Sequence, residues 1–426
     1  PAAVPTVPKE LTLWLKSAAI PLESTSPDRG LEDLRRIEAI IGNARIVAMG
    51  EETHGTREFF QMKHRMLEYL VEEKGFTIFG IEANWPESLA INDYVLNGRG
   101  DAAEALNGLY FWTWNTEEVL EMIQWMRKYN QDPKHTKKVK FFGFDMQVAH
   151  VAARNVQDYL EKVDPAEAQL ASMVLAPVGD ASRERDSAGK SKTLWQRVEE
   201  LVEALLERLE GRRKKYVEAS SLKEWTSAQH NLEIVRQAAE MNSVDRFGTF
   251  SPRDQSMAQN VKWIIEQEGP ESKIMLWAHN GHVATAPLGD GDSMGTALRK
   301  IYGAEMVVCG FSFDEGSFQA IERGKGLRQF TVGPAAPGSL DAALAAPGIP
   351  LYAIDLRSAP SSGAVGEWLN APQLMRSIGA VYNESLPGAF VGPVSPHSFD
   401  VLFFVNRTTA AHENPKYTEF EFRGRP

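Results

Sequence analysis

Four apolar runs in this chain each end on a titratable residue, and that pattern limits what the chain can fold into more than any other feature. Ile46-Val47-Ala48-Met49 runs into Gly50-Glu51-Glu52-Thr53-His54-Gly55. Phe76–Ile81 ends at Glu82, Val139–Phe144 ends at Asp145, and Lys273–Ala278 ends at His279, with His282 just beyond. Short, continuously apolar runs bounded by glycine and turn residues read as strands buried on both faces. In an open α/β sheet the carboxyl ends of the strands share one crevice, so these side chains can meet there.

Between the runs the spacing turns helical. Thr56 can cap a helix whose inward stripe is Phe59, Phe60, Met66, Leu67 and Leu70, and Leu11–Ala18 and Leu31–Ile41 also read as helices. The expected fold is α/β, a central, mostly parallel sheet flanked by helices. From 149 to 245 the strand signal fades, and Leu194, Val198, Leu201, Val202, Leu205, Leu206 and Leu209 form one helical stripe. This stretch is expected to be a helical insertion, a lid over the active-site edge within a single domain spanning 1–426. Later strands are expected at Val307–Phe311, Leu351–Ile354 and Val401–Val405, with residues 331–350 a loop or short hairpin.

Charge and composition remove several classes. A net charge of −11 argues against a nucleic-acid partner, which requires clustered Lys and Arg. The chain has no apolar run of about 18 residues, so no membrane span is expected. The single cysteine, Cys309, lies in Met306-Val307-Val308-Cys309-Gly310 and reads as strand packing rather than a nucleophile. The sequence opens on Pro1-Ala2-Ala3 without methionine, which fits either a cytoplasmic protein or an exported one whose signal peptide has been removed. No cofactor is expected, and the oligomeric state stays open.

Three of the nine histidines, His54, His279 and His282, stand at strand ends. With Glu51 and Glu82 they suit two chemistries, general-base activation of water or metal ligation. Gly291-Asp292-Ser293-Met294-Gly295 matches a serine-hydrolase elbow, with Asp355 and His397 in the right chain order, but turn-like residues precede it where the elbow needs a strand. Arg253-Asp254 opens a helix either as a surface cap pair or with Arg253 reaching the crevice to stabilise an oxyanion. Trp112 and Trp114, in Tyr110-Phe111-Trp112-Thr113-Trp114, read as core packing or as the wall of an apolar pocket. A binding module for apolar ligands without turnover is a further alternative.

The residues together resemble the erythromycin esterase family. The resemblance is carried by Gly50-Glu51-Glu52-Thr53-His54-Gly55 with Glu58-Phe59, Gly80-Ile81-Glu82-Ala83, Gly143-Phe144-Asp145, Arg253-Asp254 with Met257-Ala258 and Asn260, and Ala278-His279-Asn280-Gly281-His282. It implies a metal-independent hydrolase that opens an ester or macrolide lactone with activated water. By that resemblance His54 is the base, Glu51 and Glu82 orient it or its water, and Arg253, His279 and His282 bind or polarise the ester. Lys63 falls where some members carry arginine. Lys63, Asp145, Trp112 and Trp114 are expected to contact substrate.

Overall fold

Alternate residues of the central strands face two different cores. Ile46, Ala48, Ile78, Ile274 and Leu276 pack on one side of the sheet. Val47, Met49, Phe79, Ile81, Met275 and Trp277 pack on the other. This two-sided burial is why the runs are apolar without alternation. The computed structural model describes residues 7–181, 188–243, 251–286 and 291–416.

The strands are β1 (Ile20–Pro21), β2 (Ile46–Met49), β3 (Ile78–Asn84), β4 (Lys140–Asp145), β5 (Ile274–Trp277), β6 (Met306–Glu322), β7 (Gly326–Val332), β8 (Leu351–Asp355), β9 (Gln373–Arg376), β10 (Val391–Val394) and β11 (Val401–Thr408). Among the described residues, nine form one sheet in the order β1-β8-β11-β6-β2-β5-β3-β4, with β7 added to the far part of β6. From β11 to β4 every neighbouring pair is parallel, whereas β8 and β1 run antiparallel at one edge. Strands β9 and β10 form a separate antiparallel pair. The mixed but mostly parallel sheet with helices on both faces is the α/β fold expected from the sequence.

The order explains why the strand ends converge. Strands β2, β5, β3 and β4 are consecutive in space, so their carboxyl ends open side by side. The last two carry an irregularity: between Ile81 and Asn84 the register against β4 shifts. A bulge of this kind re-aims the side chains at a strand's end, and Glu82 lies within it. The bulge presses on its neighbour. A Cβ on Gly143 would stand 2.6 Å from the Asn84 carbonyl oxygen and closer still to that of Ala83.

Helices Arg57–Lys74 and Glu117–Gln131 cover one face, with Phe59, Phe60, Met66, Leu67 and Leu70 all buried. Ser251–Glu268 and Met294–Tyr302 cover the other. Helices His150–Val163, Pro165–Ala181, Ala188–Gly211, Arg213–Ala219 and Leu222–Ser243 follow β4. Of the stretch 149–245, residues 182–187 and 244–245 lie outside the described residues. This helical group docks through His230, whose ring stacks on Trp263 at 3.6 Å and meets the edge of Trp85 at 4.6 Å.

Two expectations need correction. Leu31–Ile41 forms a 3-10 turn, Leu34–Ile37, followed by the short helix Glu38–Ile41, rather than one continuous helix. Within 331–350, the end of β7 is followed by the helix Leu340–Ala345, capped by Ser339. Among the described residues no helix is long and apolar enough to cross a membrane.

Gly143→Ala is expected to destabilise the protein by roughly 1–3 kcal/mol, read as a lower urea midpoint. Gly379→Ala, whose added Cβ has no atom within 4 Å, is expected to change stability by less than ~0.5 kcal/mol.

Candidate active site

His54 stands just beyond β2 and is held from below. Its Nδ1 lies 2.6 Å from Glu51 Oε1. Glu51 is wholly buried, and its other oxygen accepts from Lys63 Nζ at 2.5 Å and Trp277 Nε1 at 2.8 Å. Burial alone would raise the Glu51 carboxyl. The Lys63 ammonium and the His54 hydrogen bond outweigh it and hold the group below its ordinary value, hence ionised. An ionised carboxylate only accepts, so His54 carries its proton on Nδ1 and presents Nε2 as a base. Among the described residues no hydrogen-bond partner occupies that Nε2. The edge of Trp114, 5.5 Å between centroids, fixes the ring from the side.

Lys63 lies behind Glu51, fully buried, with its ammonium 4.4 Å above the Trp277 ring. Burial brings its amine down to about 8 despite Glu51. This corrects the expectation that Lys63 touches substrate. It compensates the Glu51 charge from inside the core.

A second network occupies the ends of β3 and β4. Arg253 Nη2 donates to Glu82 Oε1 and to Asp145 Oδ2, both at 2.7 Å, and its Nε donates to Asp145 Oδ1 at 3.2 Å. Arg253 therefore reaches the crevice and is not a surface cap. Asp145 is fully buried and also accepts from Gln147 Nε2, so it anchors Arg253 instead of facing a ligand, against expectation. His282 Nδ1 sits 2.9 Å from Asp254 Oδ1, and its Nε2 is 3.3 Å from Glu82 Oε1 and 3.0 Å from Arg253 Nη1. Burial works against protonation of His282, yet the charges of Asp254 and Glu82 prevail over it and over Arg253, raising the imidazole to about 10. Asp254 and Glu82 thus draw in the extra proton, with Nε2 at ion-pair distance from Glu82. Burial alone would raise Glu82, but His282 and Arg253 hold it far below its ordinary value.

His279 joins the two networks. Its backbone N–H donates to Glu82 Oε2 at 2.9 Å, and its ring lies 5.1 Å from that of His54. Burial, followed by the charges of His54 and His282, lowers its imidazole to about 3, so the ring is neutral. Nδ1 accepts from the Gly281 N–H at 3.1 Å, which puts the proton on Nε2. That Nε2–H is buried and has no partner among the described residues. An unpaired buried donor beside an unpaired base is what an acyl-transfer site needs before its substrate arrives.

The remaining expected residues fall differently. Trp114 is buried and donates from Nε1 to the Glu82 carbonyl at 2.7 Å, so it props both networks. Trp112 is half-buried in the preceding turn. Ser293 caps the helix Met294–Tyr302, accepting from Thr296 N–H, while its own hydroxyl donates to the Ala284 carbonyl. Asp355 pairs with Arg357, and His397 is bonded to Asn370. The elbow reading therefore fails: these three side chains serve separate local structures. No three His, Cys, Asp or Glu side chains among the described residues are grouped to hold a metal ion.

Sequence reasoning missed Trp277, whose indole braces Glu51 although its strand position reads as plain core. It also missed Glu87, buried in the first turn of Trp85–Asn97 with neither oxygen bonded among the described residues. Burial, with Asp145 adding to it, pushes that carboxyl from 4.5 to about 8.

The fold and the networks define an α/β protein with a histidine and carboxylate centre at the carboxyl edge of its parallel strands. The chain belongs to the erythromycin esterase family, whose model matches residues 71–408. The match begins after the segment carrying Glu51 and His54. The chain is similar to erythromycin esterase type II of Escherichia coli, 24% identical over 346 residues, covering 72% of this chain and 78% of that one. It is also similar to YbfO of Bacillus subtilis, 25% identical over 390 residues and covering 84% of each. A Bacillus cereus crystal structure superposes with a TM-score of 0.77 at 27% identity, covering 95% of this chain and 98% of that one. The erythromycin esterase mutant EreC, in its open conformation, shares the fold at a TM-score of 0.69 and 16% identity, covering 90% and 96% of the two chains.

Because the folded-state value of Glu87 lies above 4.5, stability tied to its neutral form is complete below that pH and is lost as pH rises through about 8. Glu87→Gln is expected to raise the melting temperature by roughly 2–4 °C near pH ~8.5 and to leave it almost unchanged near pH ~4. Thermal melts across pH test this.

Proposed function

We propose that the protein hydrolyses a carboxylic ester, with a macrolide lactone as the substrate class its family points to, by attack of a histidine-activated water. The observation that carries this reading is a pair of ring nitrogens without partners among the described residues: His54 Nε2, able to accept, beside His279 Nε2–H, able to donate. A water against His54 Nε2 gives up a proton as its oxygen attacks the carbonyl carbon. The carbonyl oxygen takes the electron pair and is met by the His279 Nε2–H, with the cationic His282 and Arg253 behind it. Collapse of the tetrahedral intermediate breaks the carbon–oxygen ester bond, and the departing alkoxide recovers the proton from His54. The products are an acid and an alcohol, joined in one molecule when the substrate is a lactone. Glu51 holds the imidazole in the tautomer this sequence requires and balances the imidazolium it becomes.

In this reading the helices between 150 and 243 form a cover over the crevice. Tyr110, in the aromatic connection, contacts His150 at the start of that cover, 5.4 Å between ring centroids. A largely water-excluding cover strengthens each charge interaction beneath it.

The test is a mass-spectrometric screen of macrolides and simple esters for products that have gained one water. His54→Ala is expected to lower kcat by roughly a hundred- to ten-thousand-fold. His54→Ala turning over at the parent rate would refute the assigned base, and activity lost to a chelator and restored by metal would refute the metal-free mechanism. Ser293→Ala is expected to keep kcat within about twofold while costing roughly 0.5–2 kcal/mol of stability through the lost helix cap. Inactivity of that variant, with normal folding, would revive the serine reading.

A further inference from the structure

Glu52 follows Glu51 directly yet belongs to neither network. Its side chain is wholly buried, and Oε2 accepts from the Phe313 N–H at 3.1 Å. Oε1 is equally buried and receives no donor among the described residues. The acid beside it is the buried Asp341: Ser312, whose hydroxyl serves Asp341, directly precedes Phe313, whose N–H serves Glu52, and each carboxyl acts electrostatically on the other. Asp341 is already furnished as an anion: Oδ1 accepts from Ser312 Oγ at 2.8 Å and Oδ2 from the Arg376 N–H at 3.0 Å. The nearby Arg376 guanidinium lies 4.8 Å from the Phe313 ring and donates to the Phe313, Asp314 and Gly333 carbonyls.

Two carboxylates cannot both stay charged side by side in a dry interior, so the pair holds one proton. The bonding pattern says where it sits. Both Asp341 oxygens have donors, whereas Glu52 has one oxygen with none. A proton on Glu52 Oε1 turns that orphan into a donor to Asp341 and leaves every oxygen of the pair engaged.

We infer that Glu52 is a neutral carboxylic acid at physiological pH, and that its hydrogen bond to Asp341 is a positioning device for His54. The segment it anchors is the turn carrying both Glu51 and His54. The Glu51 carbonyl accepts from Asn280 N–H and the Glu52 carbonyl from Ile378 N–H, at 2.8 and 2.9 Å. Those two bonds fix the backbone of the turn, and the Glu52 side chain fixes its distance from β6 and from the helix Leu340–Ala345. Ionisation of Glu52 would set two anions against each other and add charge next to Glu51. Among the described residues, the charged group that opposes this repulsion is Arg376. The positioning role rests on the histidine-base reading above, whereas the protonation of Glu52 does not.

Two spectroscopic readouts need no substrate. In infrared spectra with labelled glutamate, parent minus Glu52→Gln at neutral pH is expected to show a lost carboxylic-acid carbonyl band; a lost carboxylate band would overturn the assignment. In Asp341→Asn, with the neighbouring charge gone, the same acid band is expected to titrate away at lower pH than in the parent, and an unchanged titration would also overturn it. The His54 Nδ1–H proton resonance, identified by its absence from His54→Ala, is expected to stay in place in Glu52→Gln, whose amide can serve both Asp341 and Phe313. It is expected to shift in Glu52→Ala, and no shift would end the positioning role. In ester turnover Glu52→Gln is expected within about twofold of the parent, and Glu52→Ala about tenfold or more lower in kcat with KM little changed. A glutamine variant as impaired as the alanine one would mean that the carboxylate itself is required. Absence of turnover in the parent would count against the hydrolase reading alone, since the spectra still decide this one.

Discussion

The crevice holds together because one guanidinium answers carboxylates delivered by two neighbouring strands. Glu82 and Asp145 close β3 and β4, and without Arg253 between them their charges would face each other out of water. Taking one partner from a buried pair leaves an uncompensated charge, which costs about 3–5 kcal/mol. The same arginine presses against His282, so the proton on that ring depends on how many carboxylates Arg253 leaves unanswered. Glu51 is kept apart from this competition, answered by Lys63 from within the core. The two clusters are thus built separately: Glu51, Lys63 and Trp277 lie beneath His54, while Arg253 and His282 lie among Glu82, Asp145 and Asp254.

The sheet and the identity of the strand-end residues were legible because a doubly buried parallel strand has an unmistakable apolar signature, and the crevice position follows from polarity changing at its end. Glu51, His54, Glu82, Asp145, His279 and His282 were all readable in this way. Orientation was not. Nothing in the chain states that Asp145 and Lys63 turn away from the crevice, since that depends on partners 108 and 12 positions distant, Arg253 and Glu51. Trp277 was hidden for a related reason. Strand alternation sends it to the same core as Met275, and its one polar atom finds Glu51 only after β2 and β5 have paired. Ser293 misled in the opposite direction, because glycine and serine around a helix start serve a cap as well as they serve a nucleophile.

Among the described residues, the chain beyond β6 brings no side chain into the two strand-end networks, yet it is not mere bulk. Ile378 bonds the turn after β2, Asp341 meets Glu52, and Arg376 ties β9 to the carbonyls of β6. The family model takes in this region and leaves out the turn itself. The matched portion therefore includes much of the frame on which the unmatched residues are held.

Asp145 and Arg253 are adjacent in space and 108 positions apart along the chain. Everything between them leaves from one end of that ion pair and returns to the other. Lengthening such an excursion costs little, since closure entropy grows only with the logarithm of its length. The intervening helices can thus be exchanged for shorter, longer or differently shaped ones at small cost, while the ion pair and the strand ends it joins keep their places.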